Sequence, residues 1–273
     1  MSPALEGIKV IDISQVVAVP TAARHLADFG AEVIHIENPE TGDSWRTFQA
    51  GFSGTSGVPS NINYNWEAYN RNKRGMALDL SQKEGQEILY KLVENSDVFV
   101  TNLRMYEREN FRLTYDILRQ VNPRLIYGSV TGHGPKGPDR DMPAYDHTAA
   151  WYRAGIQYCL SIPGAPCVGF RPGFVDTTAG MSLFAGVMMA LYVREKTGMG
   201  QEIELSLFNI GMYQLSFDIA GALVTGMDYK EWALSQADEN NPLVKHLRQA
   251  QAEAQAALDR LFEVYGEMSP NPL

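Results

Sequence analysis

Asp176 is the residue whose surroundings most clearly suggest chemistry. It is the one acidic side chain in residues 171–181, Arg-Pro-Gly-Phe-Val-Asp-Thr-Thr-Ala-Gly-Met, which lead into a long apolar run rich in small residues. Two roles explain an acid there. It caps the first turn of a helix, where a carboxylate accepts backbone N–H bonds and is held ionised at neutral pH, or it is a nucleophile that attacks an acyl group. The spacing alone favours the cap, and the two roles are compatible.

The composition indicates a globular chain and narrows its partners. The 273 residues suffice for one large α/β domain and part of another, and the formal net charge is -9. That charge disfavours a nucleic-acid binder, although a local basic pocket for a phosphorylated ligand stays open. Cys159 and Cys167 lack metal-ligand spacing, so we expect free thiols in a reducing compartment and no metal site.

The amino-terminal residues and the apolar runs bear on location. Residues 1–7 have neither a basic nor an apolar region of the signal-peptide kind. The run of residues 181–193 is too short to span a bilayer. The sequence therefore predicts a cytoplasmic protein without a membrane partner.

The elements that must position Asp176 alternate between strands and helices. Residues 8–13, 21–29 and 32–37 read as strand, helix and strand, which predicts a parallel, doubly wound, Rossmann-like α/β sheet. Further strands are predicted at 75–80, 97–101, 125–130 and 201–207, and helices at 81–94, 115–121, 178–195 and 208–223.

The loops that follow the predicted strands are the places where such folds bind ligands. They follow Ile13, Leu80, Val100 and Val130. The first of them lacks a G-x-G-x-x-G motif, so NAD and FAD are not predicted. Residues 38–65 are polar and rich in Gly and Ser, which indicates a long functional or mobile loop.

Several motifs in a fixed order carry a resemblance to a known family. They are residues 5–12 (Leu-Glu-Gly-Ile-Lys-Val-Ile-Asp), 26–34 (Leu-Ala-Asp-Phe-Gly-Ala-Glu-Val-Ile), Glu37, Gly42-Asp43, Arg46, Asn72-Lys73-Arg74, Asn102-Leu103-Arg104, 122–126, 131–134, 176–180 and 194–201. The set spans residues 5–232 and resembles the family III CoA-transferases, which include formyl-CoA:oxalate and crotonobetainyl-CoA:carnitine CoA-transferases.

This resemblance implies a Rossmann-like large domain in an interlocked homodimer, with Asp176 as the catalytic carboxylate. The implied chemistry moves CoA from an acyl-CoA thioester to a free carboxylic acid through an aspartyl-CoA thioester. Given the resemblance, the nucleophile becomes the favoured role of Asp176. Coenzyme A or acyl-CoA is then a substrate, and no permanently bound cofactor is expected.

The resemblance also assigns CoA contacts. They fall at Gln15, Val16, Val17 and Ala18, at Leu78, Asp79 and Leu80, at Asn102, Leu103 and Arg104, and at Tyr145 and Asp146. Lys73, Arg74 and Arg104 suit the CoA phosphates, and each is explained equally well as a solvated surface charge.

The chain departs from the family pattern at two places. Asn38 stands where the family often has Arg, which leaves one adenine or phosphate contact in doubt. No stretch matches the glycine-rich loop of the family's smaller domain. We therefore expect the large domain at residues 1–232 and a linker with a helical tail, 244–265, within residues 233–273, and activity of this chain alone stays open.

Two alternative functions are considered. The α-methylacyl-CoA racemases, which share the fold, use His in a Gly-His-Asp motif, where this chain has Ala144-Tyr145-Asp146. A tyrosine of ordinary pKa does not deprotonate an α-carbon at neutral pH, and His147 lies two residues on, which counts against this alternative. The other alternative is a non-catalytic CoA-binding partner subunit. The sequence does not name the acids exchanged.

Overall fold

The computed structural model describes residues 2–47, 61–161 and 172–228 and isolated positions between 245 and 260. Its strands are β1 (Lys9–Ile13), β2 (Glu32–Glu37), β3 (Arg74–Ala77), β4 (Val98–Thr101), β5 (Ile126–Thr131) and β6 (Glu202–Ser206). They form one parallel sheet in the order β3-β2-β1-β4-β5-β6. The predicted doubly wound α/β architecture is confirmed.

Helices connect the strands and cover the sheet. They are α1 (Ala18–Asp28), α2 (Tyr64–Asn70), α3 (Lys83–Glu94), α4 (Met105–Asn110), α5 (Tyr115–Val121), α6 (Ile156–Leu160), α7 (Phe174–Thr197), α8 (Leu207–Gln214) and α9 (Ser216–Thr225). A 3-10 turn at Ser44–Arg46 and a π-helical segment at His147–Arg153 complete the described elements.

The alternation of β1 explains why both faces of the sheet are covered. Val10 packs with α1 and α7 on one face, and Ile11 packs with the α3 and α5 residues on the other. Successive side chains of a strand point to opposite faces, so a strand with buried apolar side chains on both faces must lie between two layers of helices. β1 therefore lies at the centre of the protein, with β2 and β4 on its two sides.

α7 packs directly on α1, and a glycine permits the close approach. A Cβ atom at Gly180 would lie 2.5 Å from the Ala18 carbonyl oxygen and 2.5 Å from Thr21 Cβ. Any side chain at this position would push the two helices apart. The second turn of α7, which contains Gly180, is thereby held against the first turn of α1.

The length of α7 corrects one prediction. The helix has 24 residues and contains an 18-residue window with a mean hydropathy of 1.5, so by length and composition alone it could cross a membrane. The bent pair α8 and α9 meets the same criterion together. In this fold α7 contributes core residues such as Leu183 and Val187, both fully buried, and core helices of globular proteins pass the same test.

Several element boundaries differ from the predicted ones; β3, for example, ends at Ala77 and not at Leu80. α1 begins at Ala18 and α7 at Phe174, in both cases earlier than predicted, and α2 lies partly within the segment read as a loop. The predicted helix 208–223 is two helices, α8 and α9, that meet at 67°. Residues 162–171, which contain Cys167 and Arg171, lie outside the described residues, as do the predicted domain boundary at 232 and most of the predicted helix 244–265.

Candidate active site

A crevice opens at the carboxyl edge of the sheet, where the strand order reverses between β1 and β4. Its cavity measures about 200 Å³, and its walls include Ser14, Gln15, Glu37, Leu78, Leu80 and Leu103. Loops at such a reversal diverge and leave room for a ligand. The sheet topology thus places a binding crevice beside the loop that connects β1 to α1.

Asp176 lies within the first turn of α7 and does not cap it. The N-cap residue is Gly173, whose φ of 77° is left-handed, and no side chain caps α7 from that position. Asp176 is the third residue of the helix. The interpretation of Asp176 as the N-cap is therefore wrong, although the carboxyl does lie near the positive end of the helix dipole.

The Asp176 carboxyl is buried beside a second acid. Burial raises the pKa of Asp176 well above its ordinary value, and the Asp146 carboxylate raises this pKa further. The expectation that the position holds this carboxylate ionised is corrected, because both effects favour the protonated acid. A carboxyl of raised pKa is a more basic and hence stronger nucleophile once it ionises.

Asp146 lies close to the start of α7, where the sequence suggested a capping role for Asp176. Burial raises the pKa of Asp146, while the backbone N–H groups of Val175, His147 and Gly173 interact with its carboxylate and lower the pKa. One of its oxygens, Oδ2, is buried without a hydrogen-bond partner. Asp146 thus places a second carboxyl group beside the first turn of α7, in the same buried region as Asp176.

Tyr69, on α2, is a neighbour that sequence reasoning missed. Burial raises the pKa of its phenol, and the Asp176 charge raises this pKa further. Its hydroxyl oxygen lies 3.6 Å from where a Cβ of Gly173 would be. Tyr69 lies just beyond the segment 38–65 that was read as a loop, and no local pattern distinguishes this tyrosine from the others of the chain.

The loop between β1 and α1 completes the site. Val17 approaches Gly173, with its Cγ1 atom 3.5 Å from where a Cβ of that glycine would be. Asn102 fixes Gln15 by accepting its N–H at 2.9 Å and donating to its carbonyl at 2.7 Å. The loop therefore borders the crevice through Gln15 and the buried acids through Val17.

Comparison with known proteins identifies the family. Residues 5–247 match the family described as CoA-transferase family III. The chain belongs to this family. It is 36% identical over 241 residues to the (R)-2-hydroxy-4-methylpentanoate CoA-transferase of Clostridioides difficile. The alignment covers 88% of this chain and 58% of that protein.

Two further relatives agree. The chain is 38% identical over 205 residues to the succinyl-CoA–L-malate CoA-transferase beta subunit of Chloroflexus aurantiacus, which covers 75% of this chain and 49% of that subunit. The crystal structure of a CAIB/BAIF family protein from Brucella suis superposes with a TM-score of 0.74 at 30% identity, over 84% of this chain and 59% of that one. This family III chain thus spans 49% to 58% of the length of the two curated relatives.

Some of the CoA contacts that the resemblance predicted for this family III chain lie together at the crevice. Gln15, Leu78, Leu80 and Leu103 line it together. Asp79, between the two leucines, accepts the backbone N–H and the hydroxyl of Ser81, at 2.9 and 2.6 Å. The contacts with CoA themselves stay predictions.

Arg104 and Asn38 lie at the border of the same crevice. Arg104 is 38% exposed and pairs with the crevice residue Glu107 at 3.2 Å. Asn38 lines the cavity, and its side-chain oxygen accepts the N–H groups of Glu40 and Thr41 at 2.8 and 3.1 Å. The Arg104 charge is therefore the cation of the predicted set that remains near the crevice.

The two other cations of the predicted set are placed differently. The Lys73 ammonium is 2% exposed and binds Asp12 and Asn70, each at 2.9 Å. A buried, paired ammonium does not reach a phosphate, so the structure corrects this interpretation. Arg74 is exposed and pairs with Glu32 at 2.6 Å, at the amino ends of β3 and β2, the edge opposite the crevice. It too is removed from the candidate phosphate site.

Tyr145 and Asp146 face different surroundings although they are adjacent. Tyr145 is 57% exposed, and its ring stacks on His147 with centroids 5.7 Å apart. Asp146 is buried at the start of α7. Within the described residues, no group of three His, Cys, Asp or Glu side chains could hold a metal ion.

Proposed function

We propose that this chain moves CoA from an acyl-CoA thioester to a free carboxylic acid, with Asp176 as the nucleophile. The observation that carries the proposal is the buried carboxyl of Asp176 in the first turn of α7, next to Asp146 and beside the β1–α1 loop. Family membership supports CoA as the group transferred.

The surroundings of Asp176 suit a reaction that must exclude water. A desolvated carboxylate is a stronger nucleophile than a hydrated one, and a water-poor site protects an anhydride from hydrolysis. Asp176 is 7% exposed. The same burial that raises the pKa of Asp176 thus serves the chemistry, provided that substrate binding leaves the carboxyl ionised.

The proposed steps conserve the thioester bond. The Asp176 carboxylate attacks the donor thioester carbon, which forms a mixed anhydride and releases CoA thiolate. The thiolate attacks the aspartyl carbonyl, which gives an aspartyl-CoA thioester and frees the donor acid with one oxygen from Asp176. The acceptor carboxylate then attacks the aspartyl carbonyl and displaces the thiolate, and the thiolate attacks the acceptor's acyl carbon and regenerates Asp176.

Each attack places negative charge on a carbonyl oxygen, which needs hydrogen-bond donors. Among the described residues, no side chain caps the N-terminus of α1, which begins at Ala18 after Val17. Backbone N–H groups at such a helix start are suitable donors for an oxyanion. We assign Val17 and Ala18 this role, because Val17 lies beside Gly173 at the start of α7.

The relatives suggest the class of acid. One is named for (R)-2-hydroxy-4-methylpentanoate and another for L-malate, and both compounds are 2-hydroxy carboxylates. We propose a 2-hydroxy acid as acceptor for this chain, acting in the cytoplasm as a homodimer. A 2-hydroxyl group next to the reacting carboxylate can form a hydrogen bond with the protein, and an unsubstituted acid lacks this group, so the two acids can be distinguished.

Isotope transfer tests the covalent route. The chain is incubated with an acyl-CoA donor and a 2-hydroxy acid whose carboxylate carries heavy oxygen, and the peptide that contains Asp176 is analysed by mass spectrometry. The route predicts that one heavy oxygen enters Asp176 and then leaves with the donor acid. CoA transfer without label in Asp176 would exclude the covalent route, and CoA binding without transfer would favour a non-catalytic CoA-binding subunit.

The racemase alternative receives no support from the site. The position of the racemase histidine is occupied by Tyr145, which is exposed and stacks on His147. An NMR experiment in the absence of an acceptor acid tests this alternative. Exchange of the α-proton of 2-methylacyl-CoA with solvent deuterium would support a racemase.

A further inference from the structure

The loop between β1 and α1 contains a backbone conformation that its sequence does not favour. Val16 has a φ of 69°, in the left-handed region. Its β-branched side chain makes this region unfavourable, unlike glycine, which adopts it freely. Such a conformation persists where the surrounding structure enforces it, and it is often found at functional sites.

Asp43 is the residue that holds Val16. Both of its carboxylate oxygens lie 3.2 Å from the Val16 nitrogen, which donates to them. The carboxylate is itself fixed, because Oδ1 also accepts the Trp45 N–H at 2.9 Å and the Asp43 N–H donates to Glu37 at 2.9 Å. Asp43 is 1% exposed, so this hydrogen bond forms away from competing water.

The residues on either side of Val16 are anchored separately. Asn102 holds both backbone groups of Gln15, at 2.9 and 2.7 Å. The Val17 carbonyl accepts the N–H and the hydroxyl of Thr21, at 2.9 and 2.7 Å. The chain direction therefore changes at Val16, and its conformation determines where Val17 lies relative to the α7 turn that carries Asp176.

We infer that Asp43 is a positioning residue, which holds Val16 left-handed and thereby places Val17 and the start of α1 against Asp176. The inference rests on the proposed transfer chemistry. Burial raises the pKa of Asp43, although the N–H groups of Trp45 and Val16 lower it. A hydrogen-bond acceptor is what the position requires, so an asparagine should replace the aspartate with little loss.

A double-mutant cycle between Asp43 and Val16 tests this role. Asp43→Ala should lower kcat by about ten- to a hundredfold, because it misplaces the loop, and KM for acyl-CoA should change less than kcat, although Asp43 itself lines part of the crevice. Asp43→Asn should retain most of the activity. Val16→Gly adopts the left-handed conformation without help, so Val16→Gly combined with Asp43→Ala should recover most of the lost kcat.

A control separates positioning of the loop from the loss of any aspartate that accepts a backbone N–H. Asp141 accepts the Tyr106 N–H at 2.8 Å and pairs with Arg140, outside this loop. Asp141→Ala should show no recovery when combined with Val16→Gly. If the losses from Asp43→Ala and Val16→Gly are simply additive, or if Asp43→Asn is as impaired as Asp43→Ala, the inference is overturned.

The same variants also test the inference if the proposed function is wrong. If the wild-type chain transfers no CoA, the free energy of unfolding is measured instead of kcat for the wild type, the two single variants and the double variant. Asp43→Ala should then destabilise the wild-type background more than the Val16→Gly background, and hydrogen exchange at the Val16 amide should speed up in Asp43→Ala. Equal destabilisation in both backgrounds would show that Asp43 does not stabilise the left-handed conformation of Val16, whether or not the chain is active.

Discussion

The carboxylate of Asp146 interacts with the backbone N–H groups of Gly173 and Val175, and its charge opposes the ionisation of Asp176 one turn further on. One acid therefore stabilises the helix start that presents the other, and at the same time makes the other more basic. This relationship gives the site a pH response that the predictions below exploit.

Asp176→Asn should abolish transfer, because an amide does not attack a thioester, and yet make the protein more stable at neutral pH. The folded-state pKa of Asp176 is raised, so the folded state binds more protons than the unfolded state and wild-type stability falls as pH rises through that pKa. In thermal melts, the Tm of the variant relative to that of the wild type should increase from about pH 5 to about pH 8. An Asn variant that keeps normal turnover would rule out the nucleophile.

Asp146→Asn should move the acid limb of the transfer rate to lower pH. Removal of the negative charge at position 146 lowers the pKa of Asp176, which then ionises in more acidic solution. The measurement is kcat/KM against pH for wild type and variant. An unchanged midpoint would mean that the Asp146 charge does not control the ionisation of Asp176.

Lys73→Met and Arg74→Met should differ strongly in stability although the residues are adjacent. The first change leaves the fully buried Asp12 without its ammonium partner, which should cost about 3–5 kcal/mol. The second removes an exposed pair, which should cost about 0–1 kcal/mol. Urea unfolding measures both, and equal losses would contradict the placement of Lys73.

The Lys73 variant should also change the response to acid. Burial raises the pKa of Asp12, but Lys73 and His35 outweigh it and hold this pKa well below its ordinary value. The stability from this group is therefore present above the ordinary aspartate range and is lost as pH falls. The difference in free energy of unfolding between the wild type and Lys73→Met should therefore become smaller as the pH is lowered.

Phe217→Asp should weaken the proposed self-association. Phe217, Leu223 and Val224 of α9 are 89%, 81% and 87% exposed, and large apolar patches mark interaction surfaces. Sedimentation should show a dimer for the wild type and a shift towards monomer for the variant. Ile88→Asp, on α3, serves as a control, since Ile88 is 46% exposed outside that patch. A wild-type monomer at micromolar concentration would contradict the proposal.

The alternating apolar strands made the sheet predictable from sequence. The β1 residues Val10 and Ile11 both had to be buried, and the strand–helix–strand spacing fixed the parallel connection. The start of α7 was less predictable, because the carboxyl group that interacts with its first N–H groups belongs to Asp146, 27 residues before Gly173. Local sequence rules do not identify caps that come from distant residues.

The roles of charged residues were predicted least well. Lys73 and Arg74 are neighbours with similar side chains, and sequence reasoning treated them alike. One reaches the buried Asp12 and the other reaches the exposed Glu32, because successive residues along an extended chain point to opposite sides. Tyr69 approaches Asp176 through tertiary packing, which a single sequence does not encode locally.

The absence of a side chain at Gly180 has a mechanical consequence. With the Ala18 carbonyl and Thr21 in contact distance of that position, α1 and α7 have no clearance to slide past each other. The start of α7, which carries Asp176, and the start of α1 are therefore expected to move as one rigid unit, so that a displacement of either helix displaces the other.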